Sequence, residues 1–380
     1  VAAEREGGPG HHIVSIVGTR PEAIKMAPVV RAIAARPGLT QQLLLTGQHA
    51  GLKRLFDAIA PEAVRALRYD PRGRTPAKLR ESLHRMLCGH FQRERTDLVL
   101  VHGDTASAFA GALAAHDCGI PIGHVEAGLR SHDLNQPWPE EGNRVAIDAL
   151  SALLFAPTEV AANNLVLDRR VKGAIHITGN TGIDALFEAR DAGRKREPEP
   201  RREGRRTILV TCHRRENQGE PTSGICAALK RLVRSLPVTV VLPLHPNRHV
   251  RRNLEEQLRG ESEIRLVEPL DYPDMVQLID RSWLILTDSG GLQEEGPALG
   301  TPVLVLRNVT ERPEALETGN IELVGAEEER IVAAVVALLE DESRYAAMSR
   351  PCLAFGDGHA APRIADAIEA WLGARLSAAA

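Results

Sequence analysis

From residue 12 onward the chain repeats one rhythm: a short apolar run rich in β-branched residues, then a Gly, Thr or Asn stop, then a helix-length stretch. The runs are His12–Gly18, Leu43–Gly47, Asp97–Asp104, Ile120–Glu126, Leu153–Thr158 and Ile175–Asn180. They are apolar on consecutive positions and do not alternate with polar residues. Strands of that kind are buried on both faces, which predicts βα units and a parallel sheet covered on both sides. Between Ala189 and Arg206 a charged run containing Pro and Gly interrupts the pattern. Such a run cannot bury apolar surface and reads as an exposed connection. The rhythm then restarts with Thr207–His213, Val238–Pro246, Ile264–Leu270, Trp283–Gly291, Pro302–Arg307 and Ile321–Gly325. The expected fold is therefore α/β, with two doubly wound Rossmann-like domains.

The expected boundaries are a disordered tail over 1–12, a first domain over 13–188, a linker over 189–206, a second domain over 207–358 and a closing helix over 359–380. In the last, Ile364, Ile368, Trp371 and Leu372 share one helical face and should pack on a domain. A length of 380 residues suits two cores.

Several function classes are excluded early. A formal charge of -3 supplies no field for nucleic acid or anionic lipid, so any anion site must be local. No apolar stretch reaches about 18 residues, and the N-terminal dozen carries no apolar leader core. The five cysteines, Cys88, Cys118, Cys212, Cys226 and Cys352, are isolated, odd in number and without CxxC spacing. That argues against a disulfide framework and a zinc signature, and for a reducing, cytoplasmic setting. No HExxH, Asp-rich loop or paired His is found, so no dedicated metal site is expected. The absence of GxGxxG after the first strand disfavours a nicotinamide cofactor. No cofactor is expected.

Ligands of open parallel sheets sit at the carboxyl ends of strands, where helix N-termini point amides outward. Gly18-Thr19-Arg20-Pro21-Glu22 follows the first strand, and Lys25 lies on the next turn. Two cations at a helix start suit a diphosphate, although a surface turn with solvated charges fits as well. Ser289-Gly290-Gly291 follows another strand and leads into Gln293-Glu294-Glu295. Small residues let backbone amides approach a phosphate, and Glu295 could accept hydrogen bonds from ribose hydroxyls. Arg312, after Pro302–Arg307, is open to two readings: a further phosphate cation, or a tie to Glu311 or Glu314.

Acidic residues crowd the strand ends of the first domain: Asp104, Glu126, and the pair Glu140 and Glu141. Carboxylates so placed raise each other's pKa and suit general acid or base work better than stability. His213, after Thr207–Cys212, could protonate or stabilise a leaving phosphate; like His102, His124 and His245 it could equally be structural.

Taken in order, Gly18-Thr19-Arg20-Pro21-Glu22 with Lys25, His102-Gly103-Asp104-Thr105, Gly123 to Arg130, Pro137-Trp138-Pro139-Glu140-Glu141, His213-Arg214-Arg215-Glu216-Asn217 and Thr287-Asp288-Ser289-Gly290-Gly291 resemble the non-hydrolysing UDP-N-acetylglucosamine 2-epimerases. The resemblance runs from about residue 13 to 325. It implies the GT-B arrangement of two Rossmann-like domains facing a cleft, a homodimer, and a metal-free interconversion of UDP-N-acetylglucosamine and UDP-N-acetylmannosamine through a 2-acetamidoglucal. It also implies catalytic roles for Asp104, Glu126, Glu140 and His213. Arg20, Lys25, Ser289, Gly290, Gly291, Glu295 and Arg312 would hold the nucleotide.

Two segments depart from the family. Where it carries an aromatic residue against the uracil, this chain has Met275, within Tyr272-Pro273-Asp274-Met275-Val276. After Thr46-Gly47-Gln48-His49 its polar residues are replaced by Ala50-Gly51-Leu52, which bears on a second, activating UDP-N-acetylglucosamine; Arg214, Arg215 and His245 could serve part of such a site. A related UDP-2-acetamido or 2,3-diacetamido sugar, and a GT-B glycosyltransferase activity, stay open as alternatives.

Overall fold

The structure, a computed structural model, describes residues 10–49, 51–56, 63–67, 75–134, 137–193, 204–212, 219–244, 248–310 and 312–379. The chain divides into two compact units, one of Val1–Ala185 with Gly356–Ala380 and one of Leu186–Phe355. Each is built on a parallel sheet with helices between its strands, the α/β Rossmann-like architecture expected.

The first unit runs β1 (His11–Val17), α1 (Arg20–Ala34), β2 (Leu39–Leu45), α2 (Lys53–Phe56), β3 (Val64–Ala66), α3 (Pro76–Phe91), β4 (Leu98–His102), α4 (Ala106–Asp117), β5 (Ile122–Val125), α5 (Glu140–Leu150), β6 (Leu153–Ala156), α6 (Glu159–Leu167), β7 (Ala174–Ile177) and the start of α7 (Thr181–Gly193), whose residues from Leu186 on count with the second unit. Its strand order is β3-β2-β1-β4-β5-β6-β7. Alternate residues of β1 explain the two-sided cover. Ile13 and Val17 pack with Met26, Val29, Val30 and Ile33 of α1. Val14 and Ile16 face the other way, onto Leu83 and Leu87 of α3 and the alanines of α4. Truncating such a core Ile to Ala costs about 2–5 kcal/mol.

The second unit runs β8 (Arg206–Thr211), α8 (Glu220–Ser235), β9 (Val238–Pro243), α9 (Arg248–Gln257), β10 (Ile264–Val267), α10 (Tyr272–Arg281), β11 (Leu284–Thr287), α11 (Leu292–Ala298), β12 (Val303–Val305), α12 (Pro313–Glu317), β13 (Ile321–Leu323), α13 (Glu328–Glu340) and α14 (Glu342–Met348). The strand order is β10-β9-β8-β11-β12-β13. The last helix, α15 (Ala360–Ala379), belongs to the first unit. Its Ile364, Ile368 and Leu372 are buried with α1, and Trp371 packs against them. Asp184 on α7 accepts from the Ala360 and Ala361 amides and so fixes where α15 begins.

Three local differences from the sequence expectations have physical causes. His11 and His12 begin β1, pairing with Leu39 and Thr40 of β2, while residues 1–9 of the expected tail lie outside the described residues. The edge strand β3 gives no sequence signal, being three residues long with Arg65 at its centre and both Arg65 and Ala66 exposed. Helix α7 continues through Ala189 to Gly193; of the expected linker, residues 194–203 lie outside the described residues. Among the described residues no helix is long and apolar enough to cross a membrane.

In both sheets the strand order reverses beside the first strand, between β1 and β4 and between β8 and β11. Crevices at the carboxyl ends of such strands are where open α/β sheets hold ligands.

Candidate active site

The turn after β1 is built around Gly18 and Glu22. A Cβ on Gly18 would lie 2.0 Å from Ser107 Oγ and 2.7 Å from Thr46 Oγ1, so only glycine fits there. Thr19 caps α1 in a capping box with Glu22. One Glu22 oxygen accepts from the Gly18 amide at 2.9 Å and the Thr19 amide at 2.6 Å. The other accepts from the Thr105 hydroxyl, which itself caps α4. This one carboxylate therefore locks the turn after β1 to the turn after β4. Burial pushes Glu22 up to about 7, against the pull of its four donors.

Glu126 follows β5 with φ of 66°, a left-handed conformation rarely adopted by a residue with a side chain. Strain of that kind persists where the surroundings over-determine it and is a pointer to function. Its carboxylate is buried against the Lys25 ammonium of α1 and accepts from Asn180 Nδ2 at 3.2 Å. His102 Nε2, at the end of β4, lies 3.8 Å away. Burial alone would raise the Glu126 carboxyl; the Lys25 charge, ahead of His102 and Arg144, reverses this and holds it well below the usual carboxylate range. Burial also pushes His102 down to about 3, so at neutral pH it presents an uncharged ring.

Asp104 stands in the turn after β4, beside Gly103 with φ of 62°. Helix α5 grips it twice. Asn143 Nδ2 donates to its backbone carbonyl at 2.8 Å, and the Arg144 guanidinium pairs with its carboxylate. Glu140 opens the same helix. Beneath lies a buried relay: Asp148 Oδ1 is 2.6 Å from His124 Nδ1, and His124 Nε2 is 2.8 Å from the Gly103 carbonyl. Arg130 closes the other Asp148 oxygen at 2.6 Å.

These segments enclose a cavity of about 480 Å³ lined by Lys25, His102, Asp104, Glu126 and Glu140, with Thr19, Glu22, Gln48, His49 and Asn143 among the other walls. Four residues singled out from sequence, Lys25, Asp104, Glu126 and Glu140, thus share one cavity. Arg20 is exposed at the first position of α1, its amide 3.3 Å from His49 Nδ1. Glu141 does different work: it is buried and accepts from the Ser131 and His132 amides.

In the second unit Ser289, Gly290 and Gly291 form the turn from β11 into α11. The Ser289 amide donates to Thr287 Oγ1 at 2.9 Å. The Arg312 guanidinium lies over this turn, since a Cβ on Gly290 would come within 3.2 Å of it. Arg312 Nε donates to Glu294 Oε1 at 2.8 Å, a partner that sequence proximity to Glu314 did not suggest. Glu295 accepts from the Tyr272 hydroxyl at 3.0 Å, joining α11 to α10, where Met275 is half-buried one turn on. His213, Arg214, Arg215 and His245 lie outside the described residues.

Sequence inspection missed Arg144, Asn180 and Glu22 as site groups and left His102 open between a structural and a chemical role. Arg144 and Asn180 reach the carboxylates from other elements, 40 and 54 residues away in the chain. Only Glu22 carried a local signal, the Thr-x-x-Glu capping box.

The sequence pattern of the family described as UDP-N-acetylglucosamine 2-epimerase matches residues 31–369. A probable UDP-N-acetylglucosamine 2-epimerase of Ralstonia nicotianae is 45% identical, across 94% of this chain and 99% of that protein. The UDP-N-acetylglucosamine 2-epimerase of Escherichia coli K12 is 42% identical, across 94% and 98%. Among solved structures, the UDP-GlcNAc 2-epimerase of Neisseria meningitidis bound to UDP-GlcNAc superposes with a TM-score of 0.86 at 37% identity, covering 94% of this chain and 99% of that one.

Proposed function

The chain belongs to the UDP-N-acetylglucosamine 2-epimerase family, and from that premise we propose that it interconverts UDP-N-acetylglucosamine and UDP-N-acetylmannosamine by eliminating and re-adding UDP, without a metal ion or a redox cofactor. The observation that carries the proposal is the pair Glu126 and Asp104, two carboxylates each matched by a cation and both opening on one cavity. Inverting a C–H centre takes a proton from one face and returns it to the other, so two proton carriers are needed at one place.

The chemistry dictates an order. A C2 proton beside an acetamido group is too weakly acidic to be removed directly. Lengthening of the anomeric C–O bond comes first; the electron pair leaves with UDP, and positive charge builds on the ring. A carboxylate then takes the C2 proton, and the C–H electrons form the C1–C2 double bond of 2-acetamidoglucal. A second acid protonates C2 from the opposite face, and the UDP oxygen returns to C1. Stabilising the departing diphosphate is therefore the first task, and fixed cations are suited to it.

Lys25 links the two tasks. While its ammonium rests on Glu126, that carboxylate is a weak base. A diphosphate competes for Lys25, and as the contact loosens burial raises the proton affinity of Glu126. Arg144 stands in the same relation to Asp104, and Glu140 tunes or replaces one of the two. His102, neutral and buried, adds no competing charge. In the second unit Ser289, Gly290, Gly291 and Arg312 would take the phosphates, with His213 and Arg20 supporting the departing UDP. Glu295 keeps lone pairs for ribose hydroxyls beside its bond to Tyr272. Met275 would cover an edge of the uracil. A homodimer, and a second UDP-N-acetylglucosamine acting as activator, belong to the same proposal; the bound UDP-GlcNAc of the Neisseria meningitidis relative supports the substrate class.

Proton NMR of the purified chain with UDP-N-acetylglucosamine in deuterated water, with neither metal nor nicotinamide added, tests it. UDP-N-acetylmannosamine carrying deuterium at C2 is the expected product. Free N-acetylmannosamine would show instead that water captures the ring, and UDP release that depends on an added acceptor would show a transferase.

A further inference from the structure

On the first unit, α3 and α4 bring together three side chains that the proposed reaction does not use. His84 and Cys88 stand four residues apart on α3 and so project from one helical face. Asp117 is the last residue of α4, and Cys118 is its C-cap. His84 Nε2 lies 2.8 Å from Asp117 Oδ2 and 3.6 Å from Cys88 Sγ. The donor atoms of His84, Cys88 and Asp117 all fall within 4.8 Å of one another. With a rise of about 1.5 Å per residue, Asp117 stands roughly 17 Å along α4 from Ala106, which lines the substrate cavity.

We propose that His84, Cys88 and Asp117 form a binding site for one thiophilic divalent cation of the zinc type, clamping the middle of α3 to the C-terminal end of α4. The donor set is a nitrogen, a sulfur and a carboxylate oxygen, with solvent to complete a tetrahedron, the mixture that suits zinc and not calcium or magnesium. The spacing agrees. With Zn–S of about 2.3 Å and Zn–N of about 2.0–2.1 Å, a tetrahedral S···N edge is about 3.6 Å, which is the observed Cys88 to His84 separation. The corresponding N···O edge is about 3.4 Å, so His84 and Asp117 need only part by roughly half an ångström. Their side chains are 31% and 55% exposed, which leaves room for that movement and an entrance from solvent.

On binding, the Cys88 thiol exchanges its proton for a metal bond and releases it to solvent. No zinc signature shows along the chain because the ligands come from two helices, with His84 and Asp117 separated by 33 positions.

The test uses the full chain, reduced and treated with a chelator, then titrated with zinc against a chromophoric competitor. One equivalent should bind, with proton release and a rise in Tm. Cobalt in its place should give the thiolate-to-metal absorption band of a tetrahedral sulfur site. Cys88→Ser and Asp117→Asn should each weaken zinc binding at least tenfold while leaving the metal-free Tm near that of the parent and UDP-sugar turnover intact. Zinc that fails to compete with the chelator would overturn the proposal, as would equal binding by the parent and Cys88→Ser, or a cobalt spectrum without the thiolate band.

Discussion

Lys25 on α1 and Glu126 after β5 meet in a partly buried ion pair although 101 residues separate them in the chain. Removing the cation leaves a buried carboxylate without the largest influence that offsets its lost hydration, so Lys25→Met should raise the Glu126 pKa. The ionised base would then survive only at higher pH. The acid limb of kcat/KM against pH should move upward, with the rate lost as pH falls through the new value. An unmoved limb in an active Lys25→Met enzyme would show that Glu126 is not the group whose ionisation limits the rate.

Asp104→Asn and Glu126→Gln keep the shape of each carboxylate and remove its proton chemistry. Each should lower kcat about 10²- to 10⁴-fold, the usual range for a lost acid or base. The two variants should differ in isotope behaviour. One that still abstracts from UDP-N-acetylglucosamine will exchange its C2 proton with deuterated water without giving the epimer; one that cannot abstract will do neither. Near-normal turnover in Asp104→Asn would remove it from the chemistry.

The fold was legible because parallel strands buried on both faces leave an apolar run whatever their neighbours are, as β1 and β4 do. The edge strand β3 left no such run, because only one partner and little core constrain it. Within the site, Lys25, Asp104, Glu126 and Glu140 could be found from sequence since each lies at a strand end or a helix start. Their partners could not. Arg144 and Asn180 act through a tertiary contact that no local spacing encodes, and Glu294 rather than a loop neighbour receives Arg312 for the same reason.

The relay under Asp104 gives a stability prediction. His124 and Asp148 are both fully buried, and Asp148 also answers the Arg130 guanidinium. Asp148→Asn leaves buried donors facing a neutral amide and should cost about 3–5 kcal/mol in denaturant unfolding, the range for a broken buried pair. Burial opposes ionisation of Asp148, but His124 and Arg130 prevail and hold its carboxyl below the usual range. The stabilisation it contributes is then present above the unfolded value near 3.8 and fades as pH drops further. The parent should lose its advantage over Asp148→Asn in that acid window. A constant difference down to the lowest pH would show that Asp148 acts by shape alone.

Glu22 should behave in the opposite sense. Its carboxyl titrates at about 7 in the folded chain against 4.5 in the reference state. Between those values the folded form holds more protons than the unfolded form, so this group makes stability fall as pH rises from about 4.5 to about 7. The integrated effect is roughly 3 kcal/mol. Glu22→Gln cannot titrate, and its remaining carbonyl still accepts from part of the Gly18, Thr19 and Thr105 set. The variant will be less stable than the parent at pH 5, and the gap should narrow or close by pH 8. Urea unfolding of both proteins across that range measures the gap directly. A gap that instead stays constant across that range would mean that the four donors outweigh burial and that Glu22 is ionised throughout, serving as a permanent anionic cap for α1.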